Sequence, residues 1–128
     1  IDSHKEARKW LCENMRIVAI IDLPPNIFAE AGVSPTIIFA YKPSKDDLAV
    51  LKEKNYQVFS KEIKKVGYEV KTKNKVKCFE TQYKLNPQTF EKEINPDGTA
   101  KLDEEFTETV AEFKQWCNMQ EDTLKKLF

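Results

Sequence analysis

The sequence predicts an α/β arrangement followed by an α+β extension that ends in a long helix. Three observations carry this. Two short, strongly apolar runs, "RIVAIIDL" and "PTIIFAYK", have strand length and are apolar on both faces, as buried strands are. Stretches with helical spacing flank them. After about residue 55 the pattern changes to alternating apolar and charged positions, and then to a four-three spacing that runs to the end.

In chain order, "HKEARKWLCENM" places Ala7, Trp10, Leu11 and Met15 on one helical face. "RIVAIIDL" is the first buried strand, and "PPNIFAEAGVS" is a long connection rich in turn formers. "PTIIFAYK" is the second buried strand. In "PSKDDLAVLKEKN", Ser44 is the expected N-cap of a short helix. "YQVFSKEIKKVGYEVKTKNKVKCFE" reads as strands or a hairpin with one solvated face, and Asn95-Pro96-Asp97-Gly98 is a strong turn signal. From Asp103 onward the sequence predicts one long amphipathic helix through Phe106, Val110, Phe113, Cys117, Leu124 and Leu127, interrupted by polar Gln120.

Composition sets limits on function. The 128 residues are 41% hydrophobic and 33% charged, and 21 basic residues balance 21 acidic ones. Net charge therefore gives no argument for nucleic acid, and any such contact must come from a local patch. Arg8 and Arg16 are the only arginines, so bidentate base reading is disfavoured and phosphate contact is the plausible basic role. Cys12, Cys78 and Cys117 are odd in number and widely spaced, which argues against a disulfide framework and for a reducing, cytoplasmic compartment. No apolar run is long enough to span a bilayer, and no membrane association is expected. The chain opens at Ile1 inside a helical pattern, as expected of a piece of a longer protein.

Gly32, Gly67 and Gly98 are isolated, so no glycine-rich turn follows a strand and no P-loop or dinucleotide fingerprint is present. His4 has no evident nucleophile beside it, and His4, Cys12, Cys78 and Cys117 lack the local spacing of a zinc site, so no metal is expected. The acidic residues fall mostly on helix faces and read as solvating rather than as a general acid/base pair.

"IIDLPPNIF" brings Asp22, Pro24, Pro25, Asn26 and Phe28 together. These are the ingredients of the Asp/Asn-Pro-Pro-aromatic tetrapeptide with which amino-group DNA methyltransferases grip a flipped base. Leu23 separates Asp22 from Pro24, however, and Asn26 and Ile27 separate Pro25 from Phe28. The segment is not that tetrapeptide.

Taken whole, Ala7 to Pro43 resembles the adenine-N6 DNA methylase family, and more narrowly the modification subunit of type I restriction–modification systems. The features are Arg8 on a helix, "AIIDLP" ending a strand, Phe28 in the following loop and "TIIFAYK" closed by a lysine. "VFSKEIKKVGYE", Val58 to Glu69, is similar to the Val-Phe…Gly-Tyr segment that follows in such subunits. The resemblance implies that residues 1–55 are the C-terminal part of a catalytic domain, holding the last two strands of a class I S-adenosylmethionine-dependent, Rossmann-like sheet. Residues 56–128 would then be the extension.

It also implies a loop facing the flipped adenine, with Phe28 against the base and Asn26, Pro24 and Pro25 shaping the approach. The cofactor loop and the catalytic tetrapeptide are expected upstream, so no catalytic residue is expected here. The chain alone is expected to be inactive and without cofactor. The implied partners are double-stranded DNA and the specificity and restriction subunits. Lys71, Lys73, Lys75 and Lys77, at period two in a strand, would form one row able to follow a phosphate backbone, or an edge strand protected from aggregation. The apolar face of the last helix packs on its own domain or on a partner. The alternative reading is a non-catalytic α+β module that binds protein or DNA.

Overall fold

The computed structural model describes residues 4–25, 27–29 and 31–128. Among the described residues four helices and five strands follow one another as α1 (Lys5–Asn14), β1 (Arg16–Asp22), β2 (Thr36–Tyr41), α2 (Lys45–Glu53), β3 (Phe59–Glu62), β4 (Tyr68–Lys73), β5 (Val76–Thr81), α3 (Phe106–Cys117) and α4 (Asp122–Leu127). The mixed α/β content matches the expected class. Ile1–Ile21 with Thr36–Lys61 forms one compact unit, and Asp22–Pro35 with Glu62–Phe128 forms the other. Among the described residues no helix is long and apolar enough to cross a membrane.

In the first unit the strands are ordered β2-β1-β3. β1 is central, and Ile17, Val18, Ala19 and Ile21 are buried as expected of an apolar run, whereas Ile20 within it is exposed. β2 departs from the expectation of a second buried strand. Among the described residues it stands at the end of the sheet beside β1, and Ile38 and Phe39 stay 48% and 39% exposed. Ser44 caps α2 as expected, its hydroxyl accepting from the Asp47 amide at 3.1 Å. The other end closes through Asn55 in the left-handed region. The Asn55 amide bonds the Lys52 carbonyl and the Tyr56 amide bonds the Leu51 carbonyl, satisfying two orphan acceptors.

In the second unit β4 and β5 form an antiparallel hairpin. Asn74 and Lys75 both take positive φ at its tip, as a two-residue turn of the primed type demands. From Gln82 to Glu104 the chain makes single bridges instead of ladders, and two closed rings of backbone hydrogen bonds explain why. Gly67 donates to Asp103, Asp103 to Gln82, and Gln82 back to Gly67, at 2.8–3.0 Å. Lys84 donates to Lys101, Lys101 to Glu93, and Glu93 back to Lys84, at 2.8–2.9 Å. Each residue thus sends its donor to one segment and its acceptor to another, so no pair of segments can build a continuous ladder.

The expected single C-terminal helix is two. α3 stops at Cys117, Met119 and Gln120 bond to carbonyls three residues back, and Glu121 turns extended before α4. The break brings Phe128 edge-on to Phe113, ring centroids 5.0 Å apart. Along an unbroken helix those residues would lie about 22 Å apart. Cys117 and Leu124, on either side of the break, are both buried.

Candidate functional site

The loop after β1 is closed at its base. Leu23 donates its amide to the Pro35 carbonyl at 2.9 Å, and buried Ile63 donates to the Asp22 carbonyl at 2.8 Å. Pro24 and Pro25 fix φ through the outgoing arm and offer no donors, so that arm is stiff. Phe28 and Ala31 form a bridge, with the Ala31 amide 3.3 Å from the Phe28 carbonyl. Phe28 is left 58% exposed at this tight turn and does not plug a core. Asn26 lies outside the described residues.

What holds the loop is Tyr68, a residue to which the sequence assigned no role. Its hydroxyl donates to the Ile27 carbonyl at 2.8 Å, and its ring meets Phe79 edge-on at 4.9 Å. Buried Gly67, directly before it, has φ +86. A Cβ there would meet Leu102 and Glu104 at ordinary contact distances of 3.6 and 3.7 Å, so it is the backbone angle that demands glycine. The two pieces of the family resemblance, "DLPPNIF" and "VGYE", are thereby brought together. Between them runs a groove of about 260 Å³ lined by Pro24, Pro25, Ile27, Lys64, Val66, Tyr68, Glu69 and Val70. It falls below the usual size of an enclosed ligand pocket.

A wider cleft of about 560 Å³ gathers Lys64, Lys65, Lys84 and Lys101 with Asp103, Glu104, Glu105 and Glu108. Three of its carboxylates already have structural work. Glu105 accepts from the Lys64 and Lys65 amides at 2.9 and 2.8 Å, and Asp103 pairs with Lys65 at 3.6 Å. Glu104 accepts from the Thr107 amide at 2.9 Å and its hydroxyl at 2.6 Å, at the start of α3. Partial burial pushes the Glu104 carboxyl up, but the Thr107 donors, the Phe106 amide and the charge of Lys101 outweigh it and hold the group below the ordinary carboxylate range. Glu104 thus caps the start of α3, while Glu105 and Asp103 hold the Lys64–Lys65 segment.

The lysine row is not one row. The hairpin turn falls inside it, and Lys71 pairs with Cys78, Thr72 with Lys77, and Lys73 with Val76. Lys71 and Lys73 share one face, Lys77 lies on the other, and Lys75 sits in the turn, because partners directly opposite across an antiparallel pair share a face. Lys71 pairs with Glu69 at 3.1 Å and Lys73 with Glu80 at 3.9 Å. Hydrogen bonding to Glu69, helped by the Glu69 and Glu80 charges, raises the Lys71 pKa. Arg8 is exposed on α1. Among the described residues Cys12, Cys78 and Cys117 form no disulfide, and no three His, Cys, Asp or Glu side chains gather as a metal site would require.

The family model for N-6 DNA methylase matches residues 2–121. No curated protein and no solved structure matches the chain. N-6 DNA methylases generally take their methyl group from S-adenosylmethionine. The described residues do not fit that cofactor: Gly67 and Gly98 serve bends at positive φ, Gly32 lies exposed in the loop before β2, and none opens a helix after a strand. A match that runs through nearly the whole chain decides the kinship, and the chain belongs to the N-6 DNA methylase family.

Proposed function

We propose that this chain supplies the base-facing loop of an S-adenosylmethionine-dependent adenine-N6 DNA methyltransferase, within the modification subunit of a type I restriction–modification system. β1 and β2 are, on this reading, the last two strands of a class I methyltransferase sheet. The observation that carries the reading is the tether from Tyr68 to the Ile27 carbonyl, which fixes the Leu-Pro-Pro loop and leaves Phe28 exposed beside it. A planar side chain held there offers a face to an extrahelical adenine and offsets part of the few kcal/mol that unstacking costs. Pro24 and Pro25 restrict the approach. Double-stranded DNA is the substrate, and specificity and restriction subunits are the partners. The chain lacks the Asn-Pro-Pro-aromatic tetrapeptide, so methyl transfer itself is not assigned to its residues.

The test is Phe28→Ala in the intact methyltransferase, bound to a duplex with 2-aminopurine in place of the target adenine. Loss of one stacking face should weaken binding of the flipped base about tenfold, with the melting temperature unchanged to within about 2 °C. A large fall in melting temperature with the fluorescence signal intact would make Phe28 a packing residue and remove the basis for the proposal.

A further inference from the structure

We propose that Tyr68 is the positioning residue that sets the orientation of Phe28 toward the target base; this rests on the base-facing reading of the loop. Its hydroxyl donates to the carbonyl of Ile27, the residue immediately before Phe28, at 2.8 Å. The Ile27 carbonyl and the Phe28 nitrogen belong to one rigid planar peptide unit. Holding that oxygen therefore holds the plane from which the Phe28 side chain departs.

The anchor is firm on the Tyr68 side. The ring rests edge-on against Phe79 at 4.9 Å. Its backbone follows Gly67, whose amide and carbonyl are both taken in a ring of hydrogen bonds with Asp103 and Gln82, at 3.0 and 2.8 Å. The loop is closed at its base by the Leu23 and Ile63 amides, at 2.9 and 2.8 Å, and is held less tightly at its tip. Its own tip bond, Ala31 amide to Phe28 carbonyl, is 3.3 Å long. One oxygen atom on Tyr68 thus joins a rigid element to the loop that carries the aromatic. Removing it leaves the Ile27 carbonyl at a part-exposed site where water can replace the donor, so the fold loses little while the loop loses its register.

The experiment uses the intact methyltransferase as wild type, Tyr68→Phe, Phe28→Ala and the double variant. It measures kcat and KM for DNA, 2-aminopurine fluorescence at the target position, and melting temperature. A stacking face that acts alike in the bound and transition states changes KM and spares kcat. Tyr68→Phe should therefore raise KM about fivefold, with kcat held within about twofold and melting within about 2 °C. In the Phe28→Ala background it should add nothing, because the orientation it controls no longer has an aromatic to aim.

If Phe28→Ala itself is silent, the base-facing reading fails and this proposal fails with it. If Phe28→Ala raises KM while Tyr68→Phe does not, or if the two effects simply add, the loop reading survives and the role of Tyr68 is overturned. A fall in melting temperature that accompanies equal losses in both backgrounds would make Tyr68 scaffold only, and would also overturn it.

Discussion

Arg16 has a different place from the other arginine. Arg8 is exposed on α1, whereas Arg16 is fully buried at the head of β1. Its guanidinium donates to the Ile17 carbonyl and to the Gln57 carbonyl, the latter at 2.6 Å, and lies 4.2 Å over the Tyr56 ring. The side chain thereby ties the start of the central strand to the segment that leads into β3. A planar fork with several donors can do this, and an ammonium cannot. Arg16→Met should cost about 2–3 kcal/mol in urea denaturation, the scale of buried hydrogen bonds to a charged group. Arg16→Lys should recover little of it, and full rescue by lysine would show that charge alone suffices. Nothing in "MRIVAI" marks the arginine as buried, because strand alternation would equally well turn it to solvent. Gly67 makes a second prediction at this scale. With φ +86 and room for a methyl group, Gly67→Ala should lose about 1–2 kcal/mol from the backbone angle alone. A neutral melting curve would contradict that account.

Among the elements, those whose ends are written in side chains were the most legible. Ser44 caps α2 as its sequence context predicts, and the β4–β5 hairpin lies within the stretch that alternates apolar and charged residues. Periodicity misled where tertiary contacts decide. The four-three spacing continues past Cys117, but the contact between Phe128 and Phe113 requires the chain to break. The four lysines keep period two across residues 71–77, yet a turn at Asn74 and Lys75 divides them between two faces. The apolar β2 run gives no sign that it stands at the end of the sheet among the described strands. At the site, "DLPPNIF" and "VGYE" could both be singled out as motifs, but the hydroxyl that joins Tyr68 to Ile27, some forty residues earlier in the chain, is a tertiary fact. The start of α3 carries its own prediction. The Glu104 carboxyl is held below its ordinary value, so its contribution is complete above about pH 4.5 and fades as pH falls through the lower folded-state value. Glu104→Gln should therefore be less stable than wild type near neutrality, and the gap should close on acidification below about pH 4.5. A gap independent of pH would show that the carboxylate's charge plays no part in capping α3.

For the whole molecule, the telling surface is that of β2. Each of the two compact units has a small apolar core among the described residues: Ile17, Val18, Ala19, Ile21 and Leu48 in one, Ile63, Cys117 and Leu124 in the other. Against the first of these stands an edge strand, "TIIFAY", in which Ile37, Ile38 and Phe39 are all exposed. It contains no charge and no internal proline, two of the devices by which edge strands are kept from pairing. An apolar, uncharged strand exposed at the end of a sheet is a template for another strand. The purified 128-residue chain should therefore self-associate as its concentration rises, measurable by sedimentation equilibrium. Ile38→Lys places a charge in the middle of that strand and should weaken association about tenfold. On α3, Phe106 and Val110 are also apolar and exposed, and give the control. If Val110→Lys abolishes association while Ile38→Lys leaves it unchanged, the chain meets its copies through α3, and the edge of β2 is inert despite its composition.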